Sequence, residues 1–336
     1  SRLCNAVSVS GDESAVREIV LREVKGLGDE VKVEAFGNVL VTKKGSGSKR
    51  ARVMLAAHMD EVGMMIVKDS EDGICEFRVV GGVDPRQLVG KSVLVGSKLT
   101  PGIIGAKAIH MTTPEERKAP IPVEQLRIDL GPGGKAVAGD RVGFATKFTV
   151  LGPSLRSKAL DDRLGVFFLI ELLKNAPANV DLFLAFTTQE ELGLRGAKVA
   201  AFAFDPEIGI AVDSTPANDL PAYEGDEENP RYNTRLGSGP AIYLMDGATI
   251  SDTRLVNWLR ESAEAAGLPW QYRQPGAGGT DAGAIHKTRT GVPSVSVSVP
   301  QRYPHSAAGL VRKQDVIDTF KLIHTALSRL EPSILK

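Results

Sequence analysis

Five short motifs place residues that could do chemistry at the ends of apolar runs. LAAHMDEVG carries His58 and Asp60, KALDDRLG carries Asp161 and Asp162, TTQEELG carries Glu190 and Glu191, AVDST carries Asp213, and QRYPHSAAG carries His305. Taken singly, each has a plain structural account. A His after a strand is often a satisfied structural residue, Asp161 could cap the helix that follows it, Asp213 could close an Asx-turn, and Glu190 with Glu191 could be a solvated strand end. Together they recur at consecutive strand ends, which is where open α/β sheets place their sites. Two imidazoles and several carboxylates are the ligand set of a two-metal centre: one carboxylate bridges, and each ion takes a terminal His and a further carboxylate. Such a centre lowers the pKa of a bound water from about 15.7 towards about 7. A carboxylate that is not a ligand must then accept the proton. Asp60, two residues beyond His58 and on the same side of an extended strand, could receive the second N–H of the imidazole and so orient it.

Those motifs need a scaffold that brings strand ends together. SGDESAVREIVLREVKGLG opens with Ser10 and Glu13 in capping-box spacing and repeats apolar residues at helical intervals through Val16, Ile19, Val20 and Val24, which predicts a helix. VKVEAFGNVLVTKKG predicts two strands around Gly37, and RVMLAAHMDEVGMMIV a buried strand that stops at a polar cluster. From about residue 67 to 155 the runs become short and strand-like, punctuated by Gly, Pro and Asp, and predict a small β-barrel or sandwich. Within it TTPEERKAPIP reads as an exposed loop. Helix and strand then alternate to the end: helices at DDRLGVFFLIELLKNA, LRGAKVAAFAF, SDTRLVNWLRESAEAAG and VRKQDVIDTFKLIHTALSRL, strands at VDLFLAFTT, IGIAVDST, AIYLMD and PSVSVSVP. The acidic stretch EGDEENP reads as a solvated loop. The expected fold is therefore α/β, a mixed sheet covered by helices on both faces, with an inserted small β-barrel domain. Residues 1–66 and 156–336 would form a discontinuous catalytic domain and residues 67–155 the insertion.

With 336 residues the chain can bury a large core, and two domains fit that length. Lys plus Arg and Asp plus Glu each total 41, so no net field recruits nucleic acid or an anionic membrane, and a small substrate or peptide is the better partner. Cys4 and Cys75 sit in no CxxC or zinc-finger spacing, which suits a reducing cytoplasm. No apolar run reaches the roughly 18 residues needed to span a bilayer. His110, His286 and His324 lie outside the motifs and are not expected to be ligands.

In order and around the β insertion, HMDEVG, ALDDRLG, QEELGLRGA, AVDST, GGTDAG and RYPHS resemble the tetrahedral-particle (TET) aminopeptidase family, which includes glutamyl and deblocking aminopeptidases. The resemblance spans nearly the whole chain. It implies a metallo-aminopeptidase that removes N-terminal residues from short peptides, with two divalent ions per subunit held by His58, Asp161, Glu191, Asp213 and His305. It implies Glu190 as general base and Asp60 as the group that orients His58, and it leaves Asp162 as an alternative to Asp161. Related two-metal exopeptidases have a cis Asp-Asp peptide, expected here between Asp161 and Asp162. Gly279, Thr280 and Asp281 in GGTDAG would help shape the substrate pocket. The β block would be a dimerisation domain, and dimers would assemble into a hollow homo-oligomer of twelve subunits. Zinc is the first expectation for the metal, with cobalt or manganese also suited to one imidazole among hard oxygen ligands. Two rival readings are a glycoside hydrolase, since some members of such families carry the label endoglucanase, and a metal-free interaction module that keeps the fold. The first needs carboxylates facing each other across roughly 5–9.5 Å, which adjacent Glu190 and Glu191 do not offer.

Overall fold

Alternate residues of the strand Ala51–His58 point into two different cores, and the rest of the larger sheet is arranged around that fact. The computed structural model describes residues 1–47, 50–220 and 234–335. Val53, Leu55 and Ala57 pack with Val16 and Val20, Leu169 and Leu173, Leu255 and Leu259, and Leu322, which come from four helices on one face. Met54 and Ala56 pack on the other face with Ala197, Ala200 and Ala201 of the helix Arg195–Phe204 and with Ile285. A strand buried on both faces reads as an unbroken apolar run rather than an alternating one.

Eight strands form this sheet, in the order Glu30–Val33, Val39–Lys43, Val180–Thr187, Ala51–His58, Ile208–Pro216, Ser294–Gln301, Ala241–Tyr243 and Gln271–Arg273. The four central ones run parallel, while the second and seventh pair antiparallel to them. The expected α/β fold with a mixed sheet covered on both faces is observed. A second sheet of seven strands, all paired antiparallel, runs from Gly63–Ile66 to Arg141–Phe144 and curls towards closure. It encloses its own core of Met64, Ile66, Phe77, Val93, Ile104, Ile128, Val142 and Phe144. Among the described residues this stretch contains short 3-10 turns but no α-helix, and TTPEERKAPIP forms an exposed segment with one such turn at Glu116–Lys118. A three-stranded sheet, Thr149–Leu151, Ser154–Ser157 and Gly309–Arg312, includes two strands that the sequence patterning does not reveal. The EGDEENP stretch lies outside the described residues. Among the described residues no helix is long and apolar enough to cross a membrane.

The first long helix spans Ser14–Val24, and the capping box expected from Ser10 and Glu13 does not form. Glu13 occupies the cap position without a side-chain cap bond, and the Val16 amide is bonded instead by the Ser8 hydroxyl at 3.2 Å. Ser10 and Glu13 are turned towards the main sheet, because the segment before the helix pairs with the loop after Ala51–His58: Ser10 N donates to Glu61 O and Glu61 N to Ser8 O, at 3.3 and 3.0 Å.

That pairing is backed by a buried ion cluster. Glu61, Lys158 and Arg163 are each no more than 2% exposed. The Glu61 carboxylate accepts from Lys158 Nζ at 2.7 and 2.9 Å, from Arg163 Nη2 at 3.1 Å and from Ser8 N at 3.0 Å. The two cations also donate to carbonyls of the N-terminal segment, Lys158 to Ala6 and Arg163 to Leu3, both at 2.6 Å. Burial pushes the Lys158 ammonium down, and Glu61 opposes that push. Removing the single anion leaves two buried cations, a defect worth about 3 to 5 kcal/mol when a buried pair is broken. Glu61→Gln is therefore expected to lower the urea midpoint by an amount of that order. An unchanged midpoint would show that Lys158 and Arg163 find solvent instead.

Candidate metal centre

The four parallel strands end at one edge of the sheet, and the polar motifs follow directly. Thr187 lies opposite His58 in register, and Asp213 lies opposite Ser298. After Thr187 the chain turns sharply at Gln189, whose φ of 52° is left-handed, into the 3-10 turn Glu190–Leu192. His305 follows the strand Ser294–Gln301 and also has a left-handed φ, 51°. Asp161 and Asp162 begin the helix Leu160–Lys174 in non-helical conformations, and the peptide between them is cis, as expected.

Asp161 spans both histidines. Its Oδ1 lies 3.1 Å from His58 Nε2 and its Oδ2 lies 3.5 Å from His305 Nε2. Beyond that bridge, Asp213 Oδ1 stands 3.9 Å from His58 Nε2, and Glu191 Oε2 stands 3.2 Å from His305 Nε2. Ligand atoms of His58, Asp161 and Glu191 lie within 4.8 Å of one another, as do those of His58, Asp162 and Asp213. Asp162 differs in how its oxygens are occupied: Oδ2 accepts the His58 amide at 3.2 Å and Oδ1 the Gly165 amide at 3.0 Å. It is fully buried and fastens the cis turn to the end of the His58 strand.

Behind His58 stands Asp60. The imidazole Nδ1 lies 3.1 Å from the Asp60 carbonyl and 3.4 Å from its Oδ1. The same carboxylate accepts the amides of Glu190 at 3.1 Å and Glu191 at 3.2 Å. One buried side chain thus ties the first histidine to the turn carrying both glutamates. The second sheet closes the opposite side through Gly81 and Gly82. A Cβ at Gly82 would stand 3.1 Å from His305 Nδ1, and the carbonyl of Gly82 lies 3.2 Å from that nitrogen.

The electrostatics record too much buried negative charge. Burial and the neighbouring Asp161 and Asp162 push Asp213 well above the carboxylate range. Burial lifts Glu190 well above its ordinary value despite the pull of His58, and lifts Glu191 to about 7 against the pull of His305. Burial opposes the charged imidazoles, yet the hydrogen bond with Asp161 raises His58 well above its usual value and His305 to about 9. Asp161 moves the other way: burial would raise it, but the bonds with His305 and His58 hold it well below the usual range. A cluster that retains protons for lack of cationic counter-charge has the donor set and charge deficit that divalent cations satisfy.

The centre forms the floor of a cavity of about 570 Å³ lined by His58, Asp161, Glu190, Glu191, Asp213 and His305. Gly279 lines its wall, but Thr280 and Asp281 are buried behind it, where Thr280 Oγ1 meets Ser296 Oγ at 2.7 Å and Asp281 accepts from Thr187 Oγ1 at 2.6 Å. Sequence reasoning missed Tyr243, Asp246 and Arg273 on the same wall. Arg273 is 4% exposed, lies 5.1 Å over the Tyr243 ring, and donates to the carbonyls of Gln274 and Ala277 at 2.6 and 2.9 Å, so it shapes the Gly-rich loop. Only a basic residue at the end of a very short strand signals it. His286 and His324 bond to the backbone carbonyls of Ala282 and Asn175, and His110 sits in a 3-10 turn of the second sheet's loop, all away from the cavity.

Known proteins share this architecture over nearly the whole chain. A family model described as M42 glutamyl aminopeptidase matches residues 37–322. A putative aminopeptidase of Acetivibrio thermocellus is 36% identical, covering 96% of this chain and 95% of its own length. A lysyl aminopeptidase of Pyrococcus furiosus is 32% identical, covering 98% and 96%. The TET1 peptidase of Pyrococcus horikoshii, solved as a particle that can assemble into a tetrahedron or a large octahedral shell, superposes with a TM-score of 0.84 at 33% identity over 98% of each chain. With the match running through every strand that feeds the acidic edge, the chain belongs to the M42 glutamyl aminopeptidase family and is a TET-type aminopeptidase.

Proposed function

We propose that the protein removes N-terminal residues from short peptides at a pair of divalent metal ions, with Glu190 as the general base. The observation that carries this reading is Asp161, whose two oxygens reach towards different histidines. His58 and Asp213 would complete one ion's protein ligands, and His305 and Glu191 the other's. Asp162 is the poorer bridge, because both its oxygens already accept backbone N–H groups. When bound, the ions would polarise the scissile carbonyl and bring a shared water's pKa towards about 7. Zinc is the first candidate, with cobalt or manganese suited to the same oxygen-rich set.

The chain's own residues supply the rest. Glu190 lines the cavity, and no described side chain pairs with its carboxylate; the charge of the bound ions would offset the burial that raises it, leaving it ionised to take a proton from the attacking water and deliver it to the leaving nitrogen. Asp60 fixes the orientation of His58 and the direction of the Glu190 backbone. Gly279 opens the wall against which the N-terminal side chain would lie. Residues 1–66 and 156–336 would act as the catalytic domain and residues 67–155 as a dimerisation domain, with dimers building a cytoplasmic twelve-subunit particle by analogy with the TET relative. A glycoside hydrolase leaves both histidines without a role. Hydrolysis of a cellulose oligomer that survived chelation would favour it over the present reading.

Three outcomes are expected. Glu190→Gln should keep the wild-type metal content per subunit yet lose about 10²- to 10⁴-fold in kcat on aminoacyl-p-nitroanilides; near-wild-type turnover would move the base elsewhere. Metal loading of the apoprotein near neutral pH should release protons, because His305 at about 9 and Glu191 at about 7 must shed them to become ligands. Apparent affinity should therefore rise with pH from about 6 up to about 9, as competition titrations in buffers of different ionisation enthalpy would report. A pH-independent affinity would contradict the ligand assignment. Sedimentation velocity should give a particle of twelve chain masses, and a stable monomer would remove the assembly from the reading.

A further inference from the structure

Ser10 and Glu13 look like the start of a helix in sequence, yet neither caps one. Ser10 is 1% exposed, and its hydroxyl donates to Asp60 Oδ2 at 2.6 Å. Glu13 is 5% exposed, and its Oε1 accepts the amides of Gly11 at 2.6 Å and Gln189 at 3.3 Å. Neither residue lines the cavity. Both act on the two loops that carry its chemistry.

Ser10, Glu190 N and Glu191 N all converge on the Asp60 carboxylate. The two amides hold one oxygen each, at 3.1 and 3.2 Å, and the Ser10 hydroxyl adds a third and shorter bond, to Oδ2. That bond helps hold the carboxylate plane in which Oδ1 faces His58 Nδ1 at 3.4 Å. Gln189 adopts a left-handed conformation that non-glycine residues rarely hold without surrounding support. The Glu13 carboxylate grips the amide of that residue, and the turn it stabilises aims both glutamate amides at Asp60.

We infer that Ser10 and Glu13 are positioning residues for the hydrolytic centre, acting through Asp60 and Gln189 on His58 and Glu190. The inference rests on the proposed roles of His58 as a metal ligand and Glu190 as base. The segment bearing them is anchored from behind by Glu61, Lys158 and Arg163, so its placement does not depend on the bonds it makes to the site. Groups one step removed from metal ligands typically contribute 10- to 100-fold in affinity or activity.

The test compares wild type, Ser10→Ala, Ser10→Thr, Glu13→Ala and Glu13→Gln, each loaded with zinc or cobalt. Ser10→Ala should lower kcat about 10-fold with KM within about twofold, weaken zinc affinity about 10-fold in chelator competition, and keep its melting temperature. Ser10→Thr, which retains the hydroxyl, should restore both readouts. Glu13→Ala should lower kcat, while Glu13→Gln, which keeps an acceptor oxygen, should stay close to wild type. Wild-type kcat and zinc affinity in Ser10→Ala would overturn the inference. So would a loss that follows the melting temperature and is not rescued by Thr. An inactive wild-type enzyme with full metal content would instead overturn the proposed function.

Discussion

Asp60, Asp161, Asp162, Glu190, Glu191 and Asp213 share one sheet edge, where among the described residues His58 and His305 are the cationic groups in direct contact with them, and that excess of buried negative charge governs the site. In a low-dielectric site such carboxylates cannot all ionise together unless cations or hydrogen-bond donors compensate them. The structure separates them by the compensation each receives. Asp60, bonded to backbone amides and to Ser10, and Asp161, bonded to the two imidazoles, are held below the usual carboxylate range, whereas burial raises Asp213, Glu190, Glu191 and also Asp162, whose two amide bonds do not offset it. Asp213 and Glu191, together with Asp161, are where a divalent cation would gain most.

Both acidic pairs follow one rule. In Asp161-Asp162, one side chain reaches the histidines while its neighbour fastens the turn. In Glu190-Glu191, one side chain meets His305 while its neighbour lines the cavity with no partner among the described side chains. Consecutive residues diverge in direction, so adjacent acids take different work when the backbone is held firmly. Parallel strands provide that hold by ending in register, and the Glu61 cluster adds to it by clamping the N-terminal segment against the loops after His58 and before Asp161.

Much of this was legible in the sequence because it rests on local patterning. Doubly buried strands read as apolar runs, and each run stops at a polar motif, so the α/β scaffold and the strand-end residues could be found without contacts. What stayed hidden was which partner each polar group takes. Gln271–Arg273 is three residues long, too short for periodicity to mark it, and so Arg273 went unnoticed. Thr280 and Asp281 share a motif with Gly279, yet face the strands rather than the cavity, because the short helix Ala282–Ile285 turns them inward.

The Ser10 and Glu13 spacing shows the same limit most sharply. A Ser followed three residues later by Glu satisfies the local requirements of a capping box, and nothing nearby in sequence argues otherwise. The competing partners lie 50 residues away at Asp60 and 176 away at Gln189. They win because the site's geometry presents a buried carboxylate that lacks a third donor and a strained turn with a free amide, whereas the helix amide at Val16 already has Ser8. A motif with two chemically adequate uses is decided by which unsatisfied group would otherwise be buried, and that is a property of the assembled fold.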